Sequence, residues 1–202
     1  MKLYYSRGAC SLAVRIIINE IGLTSEYEAV DLKTKQTETG SDFLKINPKG
    51  VVPTFITDEG ETLTEVSVIL QYLADSAHAA QLMPPPPHFN HYRVLEWLNY
   101  VATELHKSIG PLFRTTFTEE MKQSIFVPMI KTKLKFVDNH LHRHKFLVDE
   151  HFTLPDAYLF VILRWAMMLK FDLAKWPYVY RYFAELLNRP SIQKSMQEEG
   201  LS

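Results

Sequence analysis

The run Pro84-Pro85-Pro86-Pro87 divides this chain more sharply than any other feature. Proline donates no N–H and holds φ near about −65°, so four in succession exclude helix and central strand. The run predicts an extended spacer over 81–88, between one unit at 1–80 and another at 89–202. The hydrophobic pattern changes across it. Before the prolines, short apolar runs alternate with helical stretches. A strand is expected over 2–5, then a turn at Ser6-Arg7-Gly8-Ala9, then a helix over 11–21 that Gly22 stops. A second strand covers 27–32. Residues 33–40 are polar and read as irregular, and 42–46 as a short helix. A third strand over 54–57 turns at Asp58-Glu59-Gly60-Glu61 into a fourth, and Thr64 or Glu65 opens a helix reaching about Ala77.

After the prolines every signal is helical. Leu95, Leu98, Ala102, Leu105, Ile109 and Leu112 recur at spacings of three and four, one stripe of a long helix that Gly110-Pro111 kinks or ends. A second long helix is expected over 119–142. Residues 157–169 are apolar on nearly every side and predict the buried central helix of a bundle. Thr153 and Asp156 have capping-box spacing ahead of it, with Phe152 placed as a staple. A last sizeable helix covers 176–188, and Pro190 separates it from a short tail. The order β-α-β-α-β-β-α, a parallel pair followed by a hairpin, is thioredoxin-like. The expected fold is therefore an α/β thioredoxin-like unit followed by an all-α helical bundle.

Composition narrows the function classes. In 202 residues, 47 % are apolar and 22 % charged, ordinary for a globular protein, and the net charge of −1 implies no nucleic-acid partner. A single cysteine excludes an intrachain disulfide and a Cys-x-x-Cys pair, and an unpaired thiol fits a reducing cytoplasm. Met1-Lys2-Leu3-Tyr4-Tyr5 meets polar Ser6-Arg7-Gly8 too early for a signal peptide. Arg164 interrupts the most apolar segment, which is too short to span a bilayer, so no membrane association is expected.

Chemistry is expected around Asn47-Pro48-Lys49-Gly50-Val51-Val52-Pro53-Thr54-Phe55 and Leu63-Thr64-Glu65. Pro53 stands where a strand should begin, so it lies on a sheet edge or opens a turn. A cis bond ahead of it would leave the Val52 N–H and C=O unpaired, ready for an extended peptide. Cys10 follows a strand and small-residue loop and precedes a helix, where the dipole favours thiolate. A lone cysteine is otherwise most often a buried structural residue.

The chain resembles glutathione transferases, most closely the bacterial beta class. The resemblance rests on Met1-Lys2-Leu3-Tyr4-Tyr5, Gly8-Ala9-Cys10-Ser11-Leu12, Asn47 to Pro53, Leu63-Thr64-Glu65, Gln71-Tyr72-Leu73-Ala74-Asp75, Trp97-Leu98-Asn99-Tyr100, Ala102-Thr103-Glu104-Leu105-His106-Lys107 and Phe152-Thr153-Leu154-Pro155-Asp156-Ala157-Tyr158. These pieces lie in order over nearly the whole chain. The resemblance implies glutathione as co-substrate, a hydrophobic electrophile as second substrate, no metal, and a homodimer. It makes Cys10 and His106 the catalytic candidates, with the sulfur of Cys10 beside that of glutathione. Conjugation, or glutathione-dependent thiol-disulfide or peroxide reduction through Cys10, would follow. Tyr5 and Ser11 are alternatives ranked below Cys10.

For glutathione itself, Val52 and Pro53 supply the backbone edge. Glu65 takes the ammonium, the N–H groups of Val66 and Ser67 take the γ-glutamyl carboxylate, and Lys35 takes the glycine end. Members usually carry Ser or Gly after the glutamate. Val66 removes that hydroxyl, and Ser67 is the candidate to replace it. Asn99, Thr103 and His106 stand at i, i+4 and i+7 on one helix face. Asn99, Thr103, Glu104 and Lys107 resemble residues that reach glutathione or the substrate from the helical side. Taken alone, a helical histidine is more often a structural hydrogen-bonder, and the resemblance weighs equally against that. His140, His142 and His144 look like a metal cluster but lack a carboxylate or thiol partner, so they read as a polar helix end. The competing reading of the whole is a non-catalytic ligand carrier or stress-related interaction protein on the same scaffold.

Overall fold

The computed structural model describes residues 1–201 in two compact units: Met1–Ala79 with the stretch from Arg189 onward, and Ala80–Asn188. In the first, β1 (Lys2–Tyr5), β2 (Glu26–Asp31), β3 (Gln36–Thr37), β4 (Thr54–Ile56) and β5 (Thr62–Thr64) form one sheet in the order β3-β2-β1-β4-β5. β1 runs parallel to β2, with Leu3 opposite Tyr27, and antiparallel to β4, with Leu3 opposite Phe55. Phe55 in turn faces Leu63 across the β4–β5 hairpin. Two corrections arise here. The stretch read as irregular contains β3, because Thr37 is buried opposite Val30 and the Glu38 N–H donates to the Ala29 carbonyl. The third strand stops at Ile56, where Thr57 begins the turn closed by its carbonyl and the Gly60 N–H.

Helix α1 (Leu12–Ile21) buries Leu12 through Ile18 without a break, Arg15 included. A helix buried on so many sides must be covered by more than a sheet. Beyond the short α2 (Phe43–Ile46) in the chain, α3 (Val66–Ser76) covers part of α1, and α10 (Pro190–Glu198) another part. α10 is the stretch expected as a short tail. Pro190 opens it, since proline is tolerated in a first helical turn. It belongs with the first unit because α1 presents a polar row that it satisfies. Asn19 Nδ2 donates to Ser195 Oγ at 2.8 Å, and Arg189 Nε and Ser191 Oγ donate to Glu20 at 2.8 and 2.5 Å. Burial raises the pKa of Glu20, but the Arg189 and Ser191 bonds win and hold it below the usual carboxylate range.

The second unit opens on the prolines. They are not extended: Pro86–Pro87 is cis and the His88 N–H closes back on the Pro85 carbonyl at 3.1 Å, a type VI turn. α4 (Phe89–Asn99) continues through a π-helical segment (Tyr100–His106), α5 (Lys107–Ile109) and a 3-10 turn (Gly110–Phe113). The second long helix is likewise interrupted: α6 (Glu119–Met121), a π-helical turn (Lys122–Phe126), then α7 (Val127–Leu141). Pro128 explains that wide turn, because it cannot donate backward and its ring crowds the preceding carbonyls. α8 (Leu154–Met168) is the buried central helix, and α9 (Pro177–Leu187) packs beside it. The α8 capping box is closed. The fully buried Asp156 carboxylate accepts the Thr153 N–H (2.8 Å) and hydroxyl (2.7 Å), the Leu147 N–H (3.0 Å) and the Tyr182 hydroxyl (2.6 Å). Among the described residues no helix is long and apolar enough to cross a membrane.

Candidate functional site

Asn47 builds the loop that carries Val52. Its side chain is buried. Nδ2 donates to the Val51 carbonyl and to Thr54 Oγ1, both at 2.9 Å, while Oδ1 accepts the Lys49 N–H at 3.0 Å. The last is an Asx turn, the motif that Asn favours at such sites. Gly50 sits at φ 62°, and a Cβ there would lie 2.9 Å from Leu44 Cδ2 and 3.4 Å from Lys35 Cε. Only glycine accepts both the left-handed backbone and that close approach.

The loop ends at the cis Val52–Pro53 bond. The Val52 carbonyl accepts the Cys10 thiol at 3.4 Å, so one of the two groups expected to be unpaired is engaged. The Val52 N–H makes no hydrogen bond among the described residues. Cys10 itself lies in the turn ahead of α1, 8 % exposed. The alternatives to it are occupied. The Ser11 hydroxyl is buried between the N–H and carbonyl of Ser6, and the Tyr5 ring packs under the Arg15 guanidinium.

Glu65 precedes α3 at φ 70°, ψ 123°, a backbone region that costs a non-glycine residue of order 1–3 kcal/mol. Its exposed carboxylate accepts Lys49 Nζ at 2.9 Å, and the same amine reaches Thr64 Oγ1 at 2.8 Å. The Val66 side chain is buried, which accounts for an apolar residue where the resemblance leads one to expect Ser or Gly. The Ser67 carbonyl accepts Gln71 Nε2. Lys35, also left-handed at φ 59°, donates from Nζ to the Gly50 carbonyl at 2.8 Å, so its amine is docked on the Val52 loop.

In the helical unit the expected face is broken. The π-helical segment widens the turn between Asn99 and His106, and the i→i+5 register rotates later side chains away from α-helical phase. Asn99, Thr103, Glu104 and Lys107 are exposed. The Asn99 and Thr103 side chains bond carbonyls one turn back, and Glu104 accepts Lys133 Nζ at 2.6 Å. His106 instead is half-buried. Its Nδ1 lies 2.6 Å from the Tyr158 hydroxyl and its ring meets Trp165 edge-on at 4.9 Å. A cavity of about 660 Å³ opens elsewhere in this unit, lined by Trp97, Tyr100, Phe136 and His140 and by none of the expected site residues. Burial, then the stacked His144, pushes His140 below the usual imidazole range, and its Nε2 is 3.0 Å from the Leu147 carbonyl. No metal-holding group of three or more His, Cys, Asp or Glu occurs among the described residues.

Two structural supports escaped the sequence reading. Asn47 was legible in principle, since Asn-Pro-x-Gly is a turn signal with a side chain that bonds its own backbone. The Arg15–Glu199 pair, with Nε to Oε1 at 3.1 Å, was not, because its members are separated by nearly the whole chain.

Comparison with known proteins bears on all of this. Residues 1–75 match the family described as Glutathione S-transferase, N-terminal domain, and 100–190 match Glutathione S-transferase, C-terminal domain. Glutathione S-transferase GstA of Escherichia coli O157:H7 is 42 % identical over 201 residues, with 100 % of each chain covered. A solved sphingomonad glutathione S-transferase complexed with glutathione superposes with a TM-score of 0.95 at 37 % identity, over 100 % of each chain. The bacterial beta-class glutathione S-transferase of Sphingomonas chungbukensis does so with a TM-score of 0.96, also at 37 % identity over 100 % of each chain.

Proposed function

This chain belongs to the glutathione transferase family, and from that premise we propose that the Val52 edge and the Cys10 thiol together receive glutathione. One observation carries the reading: the Val52 N–H has no partner among the described residues, while the carbonyl of the same residue meets the Cys10 sulfur. An extended peptide laid along Val52 takes that N–H by the pairing a strand edge offers. Its own sulfur then falls beside Cys10.

In this reading Glu65 binds the glutathione ammonium, exchanging its contact with Lys49 for one with the ligand. The N–H groups of Val66 and Ser67 at the start of α3 take the γ-glutamyl carboxylate. Lys35 offers its remaining donors to the glycine carboxylate while one stays on Gly50. Pro53 keeps Val52 out of β4. His106, oriented by Tyr158, serves the thiolate or a bound water from the helical unit, and Asn99, Thr103, Glu104 and Lys107 form a polar strip on the same unit that meets ligand or partner. The second substrate is a hydrophobic electrophile, the assembly a homodimer, and the compartment the cytoplasm.

Full-length similarity to glutathione S-transferases favours the enzyme over the non-catalytic carrier. A second reading within the family is favoured by Cys10 itself. Its sulfur attacks a mixed disulfide of glutathione, forms the Cys10–glutathione disulfide and expels the other thiolate; a second glutathione thiolate then resolves it as glutathione disulfide. Retention on immobilised glutathione, followed by turnover of an aryl halide and of a glutathione mixed disulfide, tests both. Failure to bind immobilised glutathione overturns the reading.

A further inference from the structure

We propose that Glu199 and the Gly200 carbonyl position the Cys10 loop from the far end of the chain. The turn from Ser6 to Cys10 is held at several points. Ser6 is fastened to Ser11 Oγ, and Cys10 to the Val52 carbonyl. Between them, the Gly8 N–H donates to Glu199 Oε2 at 2.8 Å, and the Arg7 guanidinium donates to the Gly200 carbonyl. Glu199 lies just beyond α10, and its side chain is fully buried.

That carboxylate has a second anchor. Its Oε1 accepts Arg15 Nε at 3.1 Å, and Arg15 Nη1 reaches Glu198 at 3.3 Å. Arg15 stands five residues after Cys10 on α1, 3 % exposed, with its guanidinium 3.6 Å from the Tyr27 ring centroid and 4.5 Å from that of Tyr5. Glu199 thus ties the loop before the thiol to the helix after it. Burying this ion pair is costly, and removing one partner leaves the other uncompensated. Such a pair is a poor way to gain stability alone but a good way to set a backbone in one register. A hydrogen bond from a backbone N–H to a buried carboxylate is also short and strong, which suits holding a turn. Gly8 sits at φ 68°, so its N–H direction depends on a left-handed backbone that the carboxylate retains.

The proposal rests on Cys10 being the thiol that works on glutathione, and it deepens that reading. It differs from a mere docking role for α10 in one respect. Glu198 also docks α10, through Arg15 and Asn19 Nδ2, but no bond of it to the loop is seen.

The test is iodoacetamide alkylation of Cys10 in the full-length protein, alongside steady-state kinetics, for wild type, Glu199→Ala, Glu199→Gln, Glu198→Ala and Arg7→Ala. Losing a bond to a charged acceptor corresponds to about tenfold in an equilibrium or rate. Glu199→Ala is expected to alkylate about tenfold faster and to lose about tenfold in kcat for mixed-disulfide reduction, with the KM for glutathione within about twofold. Glu199→Gln keeps an oxygen for Gly8 and alkylates near the wild-type rate. Glu198→Ala stays within about twofold of wild type in every measure. Equal alkylation rates for Glu198→Ala and Glu199→Ala overturn the proposal, whether both rise or neither does. If Glu199→Ala does not fold, Arg7→Ala decides: alkylation about threefold faster supports the proposal, and an unchanged rate overturns it. A parallel Cys10→Ala variant with all activities intact defeats the assignment of Cys10 instead, while the alkylation rates still report on Glu199.

Discussion

The Cys10 thiol and the Val52 carbonyl lie 3.4 Å apart, across the end of the first strand from the cis Val52–Pro53 bond. The sulfur is therefore already next to the backbone edge on which an extended ligand would lie. Its exposure is only 8 %, so in the proposed reading a ligand would meet it along that edge rather than from open solvent.

Cys10→Ala and His106→Ala should separate two chemistries. Without the thiol, mixed-disulfide reduction is lost, while aryl-halide conjugation stays within about threefold. His106→Ala should lower conjugation by about 10²-fold. Progress curves with each substrate check both, and conjugation unaffected by His106→Ala removes that residue from the mechanism.

Asn47→Ala should loosen the Val52 loop. It removes the donors to Val51 and Thr54 and the acceptor for Lys49. We expect a loss of about 2–3 kcal/mol in stability, from the three hydrogen bonds lost at a buried side chain, and a KM for glutathione raised about tenfold. Urea melts and initial rates measure the two. An unchanged KM in a destabilised protein would show that the loop keeps its shape without Asn47.

Glu65 tests backbone against charge. Glu65→Gly relieves the φ 70° conformation but deletes the carboxylate, so thermal stability should change by less than about 1 kcal/mol. Lys49→Met should be similarly mild, since an exposed ion pair is worth about 0–1 kcal/mol. Glutathione affinity by calorimetry should nevertheless fall at least about tenfold in Glu65→Gly. Full affinity in that variant would take the ammonium away from Glu65.

Glu28 should govern part of the acid limb. Burial alone would raise its pKa, yet Lys2, Thr37 and Thr39 hold it at about 2, below the ordinary 4.5. Its stabilisation is complete above about pH 4.5, where the unfolded carboxyl is also ionised, and is lost as pH falls through about 2. At pH 7, Glu28→Gln should be less stable by roughly 1–2 kcal/mol after allowing for screening, and near pH 2 the two proteins should converge. Denaturant melts across that range would refute this if the gap stayed constant.

Asp156→Asn should destabilise the helical unit by about 2–4 kcal/mol. One amide oxygen cannot accept from Leu147, Thr153 and Tyr182 together, and the amide N–H₂ faces donors in a fully buried site. The urea midpoint reads this, and a shift smaller than about 1 kcal/mol would contradict it.

Local features were legible because local physics decides them. Short apolar runs marked β1 and β4, an apolar helical stretch stopped by Gly22 marked α1, and apolar residues on nearly every side marked α8; Thr153 and Asp156 carried a capping signal in four consecutive residues; the Val52–Pro53 step announced an interrupted strand. These depend on neighbours within one or two turns of chain, so residue types alone determined them. Tertiary structure decided the rest. Whether 190–198 is a tail or a helix depended on the polar row of Arg15, Asn19 and Glu20, far away in sequence. The π-helical register between Asn99 and His106 moved His106 toward Tyr158 and off the face that simple spacing assigned it. The Val52 carbonyl was taken by a thiol 42 residues earlier. Each is a contact between groups whose separation along the chain exceeds any periodicity, and only the packed chain brings such groups within bonding distance.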